Sequence, residues 1–438
     1  MPGTAPAGAF AWSNWAGNQH SAATTVLRPS SISEVVEQVR AAAEAGERIR
    51  PVGSGHSFTP VAVGHGRRME LSRLAIDVRV DVDQRLVTVP AGMTLRQLNA
   101  LLAGHQLALP NLGDIDAQTV AGAISTGTHG TGAAYGNLAT FVAALTLVTG
   151  AGEVLHCSAE EHPDVFDAAR ISLGALGILV DVTLRCVDAF VLRADERPAA
   201  LDTVLADLDG LVGGHDHVEF FWFPYTSRVQ LKLNDRVPTD DRPLPRWRGW
   251  LDDDFLANTV FAGACRLGRA VPALVPPISA FSARALSERV YTGRSDAVFC
   301  SPRRVRFLEM EYALPREALP EALDALRQII DRLPFRVLFP VEVRFTAADD
   351  IWLSHSYGRE SAYVALHQYI GVPYEPYFRA FEEVATELGG RPHWGKLHWR
   401  DAASLAPAYP RWQAFHHLRS HLDPHQTLTT PHLTTLLG

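Results

Sequence analysis

Three short stretches carry side chains whose types and spacing could do chemistry together. The first is Glu342-Val-Arg344, in a strand-like run. A spacing of i, i+2 puts both charges on one face of a sheet. Two readings stay open: a solvated sheet face, or a Glu–Arg pair lining a pocket. The second is Arg391-Pro-His-Trp-Gly-Lys396, a loop after a helix, whose plain reading is a turn with an exposed lysine. Only Lys232 and Lys396 are lysines among 40 basic residues; the other 38 are arginine. Codon bias explains the shortage as a whole. A surviving lysine still raises the question of what arginine could not do there, because lysine alone can be tuned to release its proton. The third is His367 with Tyr369, on one face of the strand that follows Tyr357-Gly-Arg359.

Two glycine-rich loops complete the set. Gly53-Ser-Gly-His-Ser-Phe58 follows a short strand, and its glycines let backbone N–H groups converge. It is neither a Walker A loop nor GxGxxG. Taken alone it is a tight turn or a phosphate cradle, with His56 at its solvent-exposed tip. The second loop, Gly122 to Gly132, holds Ser125-Thr-Gly-Thr-His-Gly130. Two Gly/Ser/Thr loops, each with a histidine, suit extended phosphates held by amides and hydroxyls and not by positive charge. The C-terminal histidines His416, His417, His421, His425 and His432 include an i, i+4 pair, but with no HExxH and no nearby carboxylate no metal site is expected. No GxSxG elbow points to a serine hydrolase. Cys157, Cys186, Cys265 and Cys300 are far apart, and most of them read as small buried hydrophobes.

The elements that must position these residues follow from periodicity. Ser31-Ile-Ser-Glu34 reads as a capping box before a helix that ends near Gly46. Strands are expected at Ile49 to Val52, in a hairpin through Val80 and Leu86 to Val89, and at Leu145 to Val148 and Gly177 to Leu184. Helices are expected at Thr94 to Leu102 and Ala159 to Leu173. Asn111 to Gly136 shows little periodicity. After about Cys186 aromatics and prolines rise. Strands follow near Val218 to Phe223, Gln230 to Asn234, Val305 to Tyr312, Pro340 to Thr346 and Ala362 to Ile370, with helices at Arg316 to Leu333 and Tyr377 to Leu388.

The chain has 438 residues, and roughly 150 residues per domain gives two or three domains. A net charge of −8 with no basic block excludes a nucleic-acid or anionic-membrane binder. Met1 to Trp15 has no basic start before an apolar run, so no signal peptide is expected. The most apolar stretch, Thr259 to Phe281, is cut by arginines and prolines, so no membrane span is expected and the cytoplasm is the default location.

Taken in order, these motifs resemble the vanillyl-alcohol-oxidase type flavoproteins, in particular the aldonolactone oxidoreductases and alditol oxidases. The matching pieces are Asn14-Trp-Ala-Gly-Asn18, Arg28-Pro29, Val52-Gly-Ser-Gly-His-Ser-Phe58, Leu109-Pro-Asn111, Val120-Ala-Gly122, Ser125-Thr-Gly-Thr-His-Gly130, Leu173-Gly-Ala-Leu-Gly177, Glu342-x-Arg344, Trp352-Leu-Ser354, Tyr357-Gly-Arg359 and Pro392-His-Trp-Gly-Lys396. They span nearly the whole chain. The resemblance implies an α+β fold: a PCMH-type FAD-binding domain of two subdomains (1–187), a substrate domain with a large antiparallel sheet flanked by helices (188–404), and a C-terminal segment (405–438) returning to the first domain. It implies FAD held by Val52, Gly53, Ser54, Gly55, His56, Ser57, Phe58, Thr119, Gly122, Ser125, Thr126, Gly127, His129, Ile178 and His393, and bonded covalently through His56.

By the same carry-over Glu342, Arg344 and Lys396 are the catalytic groups beneath the flavin, and His367 and Tyr369 flank the substrate. Substrate carbon gives hydride to the flavin N5, and Lys396 or Arg344 stabilises the charge that reduction brings. Lys396, crowded by Arg344, is expected to have its pKa pushed down and to serve as a base. Lys232 matches nothing. Two departures from the alditol oxidases shape the substrate reading. Gly113 stands at the position that governs oxygen access, which implies an oxidase making hydrogen peroxide. Asp114 replaces a polyol-contacting serine, and Tyr369 replaces a small hydroxyl residue. The run Leu112-Gly-Asp-Ile-Asp116 is similar to that of sugar-lactone oxidases, so the expected substrate is a carbohydrate of the sugar 1,4-lactone type. Alternatives are an alditol, polyol or nucleoside primary-alcohol oxidase, a dehydrogenase with a non-oxygen acceptor, and a non-catalytic flavin binder.

Overall fold

The computed structural model describes residues 10–438. The leader reading of Met1 to Trp15 therefore lies in part outside the described residues. Among those described, no helix is long and apolar enough to cross a membrane.

Alternating apolar residues build two α+β layers in the first part of the chain. A three-stranded parallel sheet, ordered Thr25–Leu27, Arg67–Met69, Ile49–Pro51, is joined to the helix Ile32–Glu44. A five-stranded antiparallel sheet follows, ordered Val154–Ser158, Val142–Thr149, Gly177–Arg185, Leu86–Pro90, Arg79–Asp81. One hydrophobic core runs through both. It also takes in Trp412, Phe415, Leu433 and Leu437 from the C-terminal helices Trp412–Leu422 and Pro431–Leu437.

The second part of the chain forms an eight-stranded antiparallel sheet. Its order is Arg289–Arg294, Val191–Ala200, Arg228–Val237, His217–Trp222, Val341–Thr346, Ser361–Tyr369, Phe307–Pro315, Arg391–Pro392. Period-two alternation splits its side chains between two faces. Phe220, Val343, Phe345, Val364 and Tyr312 face the helices Leu319–Arg332 and Glu375–Glu387, in a core of their own. The charged residues of the same strands face the other way. Every residue of Val341–Thr346 is buried, so the solvated-face reading of Glu342 and Arg344 fails.

Local signals were shifted in places. Ser31 caps its helix by accepting from the Glu34 N–H, but the Glu34 carboxylate reaches back to Ser30, one residue before the cap. The Thr94 capping box is complete. The helix expected from Ala159 to Leu173 spans only Pro163–Ala169. Proline sets its first turn, and His162, at φ 52°, breaks anything earlier. Within Asn111 to Gly136, a short helix at Val120–Ser125 is capped by Thr119.

Phe415 is fully buried in the first core. Phe415→Ala should lower stability by about 3–5 kcal/mol, read as a fall in the urea midpoint; an unchanged midpoint would separate the C-terminal helices from that core.

Candidate active site

A cleft of about 570 Å³ opens in the first part of the chain. Val52, Gly53, Ser54, Gly55, His56, Ser57, Thr119, Gly122, Ser125 and Thr126 line it. A Cβ on Gly53 would lie 2.4 Å from Thr119 Oγ1, and one on Gly122 would lie 2.9 Å from the same oxygen. Gly55 holds φ +71° with Trp12 2.9 Å from where its Cβ would be. Bare backbone is therefore required where the two loops meet. The charged lining residues are already engaged. Arg50 donates to the carbonyls of Val61 and Leu173, each at 2.6 Å, and Glu70 pairs with Arg28 and Arg68. What remains is amide and hydroxyl, which fits the extended diphosphate of a dinucleotide.

Five expected cofactor residues do not line this cleft. Strand alternation turns Gly177 and Leu179 to it and buries Ile178 completely. Phe58 packs on Phe307, with centroids 5.7 Å apart. Gly127 abuts His355, 2.6 Å from where its Cβ would stand, and His129 and His393 belong to a buried stack with His355 and Tyr363. His129 lies over Tyr363 at 3.6 Å, and His393 lies over His355 at 4.7 Å. His129 also meets Glu311 at 3.2 Å and Gly130 O at 2.8 Å. His129, Glu311 and His393 bring three ligand atoms within 4.8 Å of one another. The Glu311 contact accounts for this group as a paired histidine.

His56 sits at the inner end of the cleft, half-buried and stacked on Trp15 at 5.8 Å. Burial, then the nearby Lys396 charge, holds its pKa below the usual histidine value, so the ring is neutral at pH 7. Its loop is braced from two directions. Asn14 and Asn18 donate to the carbonyls of Ser57 and Phe58, both at 2.9 Å. The Phe58 N–H donates to Gly395 O at 2.7 Å, and Thr59 Oγ1 donates to Trp394 O at 3.1 Å.

Beyond His56 the charged face of the large sheet forms a row of alternating sign. Register places Glu219 opposite both Arg344 and Lys232, and Glu309 opposite His367. Arg344 pairs with Glu342 and, at 3.0 Å, with Glu219. Lys232 meets Glu219 at 2.6 Å. His367 lies 3.5 Å from Glu309 and 3.9 Å from Glu342, and Lys396 pairs with Glu309. The turn carrying Lys396 is pinned to the same strand, with His393 N donating to Glu311 O and Leu397 N to Glu309 O, both at 2.9 Å.

These pairings decide the protonation states. Burial would discharge Lys396, but Glu309 and Glu311 outweigh it and raise its pKa. The expectation that Arg344 would push Lys396 down, making it a base, is therefore overturned: Arg344 is engaged by Glu342 and Glu219, and Lys396 is held as an ammonium. Burial pushes Glu309 and Glu219 up, yet their cations bring both down to about 2. Glu342 goes the other way. Burial, reinforced by Asp114 and Glu219, outweighs Arg344 and raises it above the ordinary carboxylate value.

The remaining expected residues are Asp114, Gly113 and Tyr369. Asp114 is gripped by Arg303 at 2.7 Å and lies 3.9 Å from Arg344. Burial raises Asp114, but the two guanidinium groups overcome it and hold it well below the carboxylate range. Gly113 faces His129 O, 3.1 Å from where a Cβ would stand. Tyr369 is outside the ion network, 5.5 Å under Arg269. Lys232, which matched no motif, is a member of that network. Glu219, Glu309 and Glu311 were not foreseen. Glu309-Met-Glu311 has the same i, i+2 spacing as Glu342-Val-Arg344 and was the available signal.

Glu309, lowered in the folded state, contributes stability above its unfolded pKa that is lost as pH falls toward about 2. Glu309→Gln should therefore cost about 3 kcal/mol near pH 7 and much less below pH 3, in urea titrations at the two pH values. An equal cost at both would deny the Lys396 pairing.

Comparison with known proteins places this geometry. The D-arabinono-1,4-lactone oxidase family matches residues 182–436, and an FAD binding domain matches residues 23–158. An L-gulono-1,4-lactone dehydrogenase of Mycobacterium tuberculosis is 41% identical, covering 98% of this chain and 99% of its own. The L-gulonolactone oxidase of Bos taurus is 34% identical, covering 94% of each. A D-arabinono-1,4-lactone oxidase of Yarrowia lipolytica is 29% identical, covering 87% of this chain and 85% of its own. A solvent-stable cholesterol oxidase superposes over 100% of both chains with TM-score 0.81 at 20% identity, a likeness of fold. With a glycine-lined FAD cleft opening toward a buried row of paired charges, the chain belongs to the aldonolactone oxidoreductases, the FAD-dependent family of D-arabinono-1,4-lactone oxidase.

Proposed function

We propose that this protein oxidises a hydroxyl-bearing carbon of a sugar 1,4-lactone and passes the electrons to oxygen, releasing hydrogen peroxide. The observation that carries this reading is the buried row of paired charges, Glu342 with Arg344 and, across His367, Glu309 with Lys396, in a chain that also holds a glycine-lined cleft. Glu342 alone among its carboxylates is raised, and it lies between a fixed guanidinium and, beyond His367, a fixed ammonium. Bound FAD supplies the two-electron acceptor. Glu342 takes the proton of the substrate hydroxyl. Arg344 and Lys396, held cationic, stabilise negative charge on the oxygen atoms of substrate and cofactor. His367 and Asp114 face the polar edge of a polyhydroxylated ring. Substrates in the relatives' names are 1,4-lactones, which favours this class over alditols and nucleosides.

His56 supports covalent attachment of FAD: it lines the cleft and its imidazole is neutral and therefore nucleophilic. Acid-precipitated holoenzyme should stay yellow, and His56→Ala precipitate should be colourless. A colourless wild-type precipitate would refute the bond.

Gly113 supports oxygen as acceptor, since its missing side chain leaves a space bounded by His129 O and the Thr128 methyl, 3.1 and 3.6 Å from where a Cβ would stand. The backbone there has no positive φ, so what opposes alanine is the His129 carbonyl, which must give by a few tenths of an ångström. A second reading, electron transfer to a dye or cytochrome, is favoured by the M. tuberculosis relative, which is named a dehydrogenase. The two separate in one experiment on L-gulono-1,4-lactone, D-arabinono-1,4-lactone, alditols and nucleosides. Peroxide under air at a rate matching dye reduction supports the oxidase, with Gly113→Ala slowing flavin reoxidation far more than flavin reduction. Dye reduction without peroxide supports the dehydrogenase. Glu342→Gln should lower the rate of flavin reduction about 10²–10⁴-fold in anaerobic stopped flow, and a near-wild-type rate would remove Glu342 as the proton acceptor.

A further inference from the structure

The charge row continues past the groups that face substrate. Glu219 spans two cations with its two oxygens: Oε1 accepts from Lys232 Nζ at 2.6 Å, and Oε2 accepts from Arg344 Nε at 3.0 Å. Arg344 turns its Nη2 to Glu342, with Asp114 3.9 Å away. One edge of the guanidinium is thus committed to Glu219, and Glu219 is held by Lys232. The chain has two lysines, and both lie in this one row, each on a carboxylate of a neighbouring strand.

We propose that Lys232 and Glu219 are positioning residues for the reaction: they fix Arg344 against Glu342 and set the pH at which Glu342 can accept the substrate proton. This rests on Glu342 as the proton acceptor. Neither residue needs to touch substrate. Their effect is electrostatic and passes through Arg344.

The groups facing Glu342 come from several elements. Arg344 is on its own strand, and Glu219 is on the His217–Trp222 strand. His367 approaches at 3.9 Å from the opposite neighbour, and beyond it stands Glu309 with Lys396. Asp114 with Arg303 closes the row from outside the sheet. With those groups kept, the two proposed residues act with opposite sign. Removing the Lys232 charge leaves Glu219 opposed only by Arg344, which Glu342 also needs. The field at Glu342 becomes more negative, its proton is held more tightly, and the acid limb moves up. Neutralising Glu219 frees Arg344 for Glu342, and the limb moves down.

The test is the pH profile of flavin reduction by L-gulono-1,4-lactone, measured anaerobically on FAD-loaded wild type, K232M, K232R, E219Q and E342Q. K232M should raise the acid limb by about one pH unit and E219Q should lower it by a similar amount. K232R keeps the charge and should stay within a few tenths of wild type. A packing defect lowers rates and melting temperatures but does not move the limb in opposite directions. If K232M fails to load FAD, E219Q against K232R decides, because a downward limb in E219Q with none in K232R supports the assignment. Limbs that move together, or not at all, while E342Q abolishes the limb, overturn the positioning role alone. A limb that survives in E342Q overturns the Glu342 assignment and this inference with it.

Discussion

A carboxylate on the inward face of a sheet survives ionised only if a cation meets it there. That constraint organises the second half of this molecule. Glu219, Glu309 and Glu342 are each nearly excluded from solvent, and each lies beside a cation or histidine presented by its own or an adjacent strand. The antiparallel register is what delivers these partners, since directly opposed residues share a face. A slip of one residue would turn the charges into the helix-packed core and the apolar row toward the cofactor. Chemistry and strand pairing thus depend on the same contacts, and the apolar face that packs on two long helices secures both.

The row is asymmetric, and that asymmetry singles out Glu342. Most of its ion pairs are balanced, so their members stay charged and do nothing but hold a field. Glu342 shares Arg344 with two other carboxylates, and its share is too small to offset burial. A surplus of negative charge is concentrated on one group. The first domain follows the opposite plan. In its cleft Arg50 is taken up by backbone carbonyls and Glu70 by arginines, which leaves neutral donors and explains how an acidic protein can accommodate a diphosphate.

Much of this was legible in local sequence. Alternation located most strands of the large sheet to within a few residues, and the two glycine loops pointed to the cleft that both line. Lys396 was singled out by its rarity and by the Pro392-His-Trp-Gly-Lys396 motif, and it does stand among the charges. The misreading of the charges has a topological cause. Arg344 was expected to crowd Lys396 because their motifs were considered together, whereas its charge is taken up by Glu219, which lies 125 residues earlier. Partners across a sheet are set by topology, and no window of sequence around Lys232 contains Glu219's other contact. The helix expected at Ala159 failed for a local reason, a proline that begins the helix where the periodicity placed its interior.

The hydrogen bond from Phe58 N–H to Gly395 O joins the loop that carries His56 to the turn that carries Lys396. His56 lines the cleft of the first part of the chain and Lys396 meets Glu309 of the large sheet, yet the span between their loops is bridged by backbone at 2.7 Å. The seam works as a caliper between the His56 ring and the Lys396 ammonium: it is made of main-chain atoms, so replacing either side chain leaves the spacing of the two backbones in place.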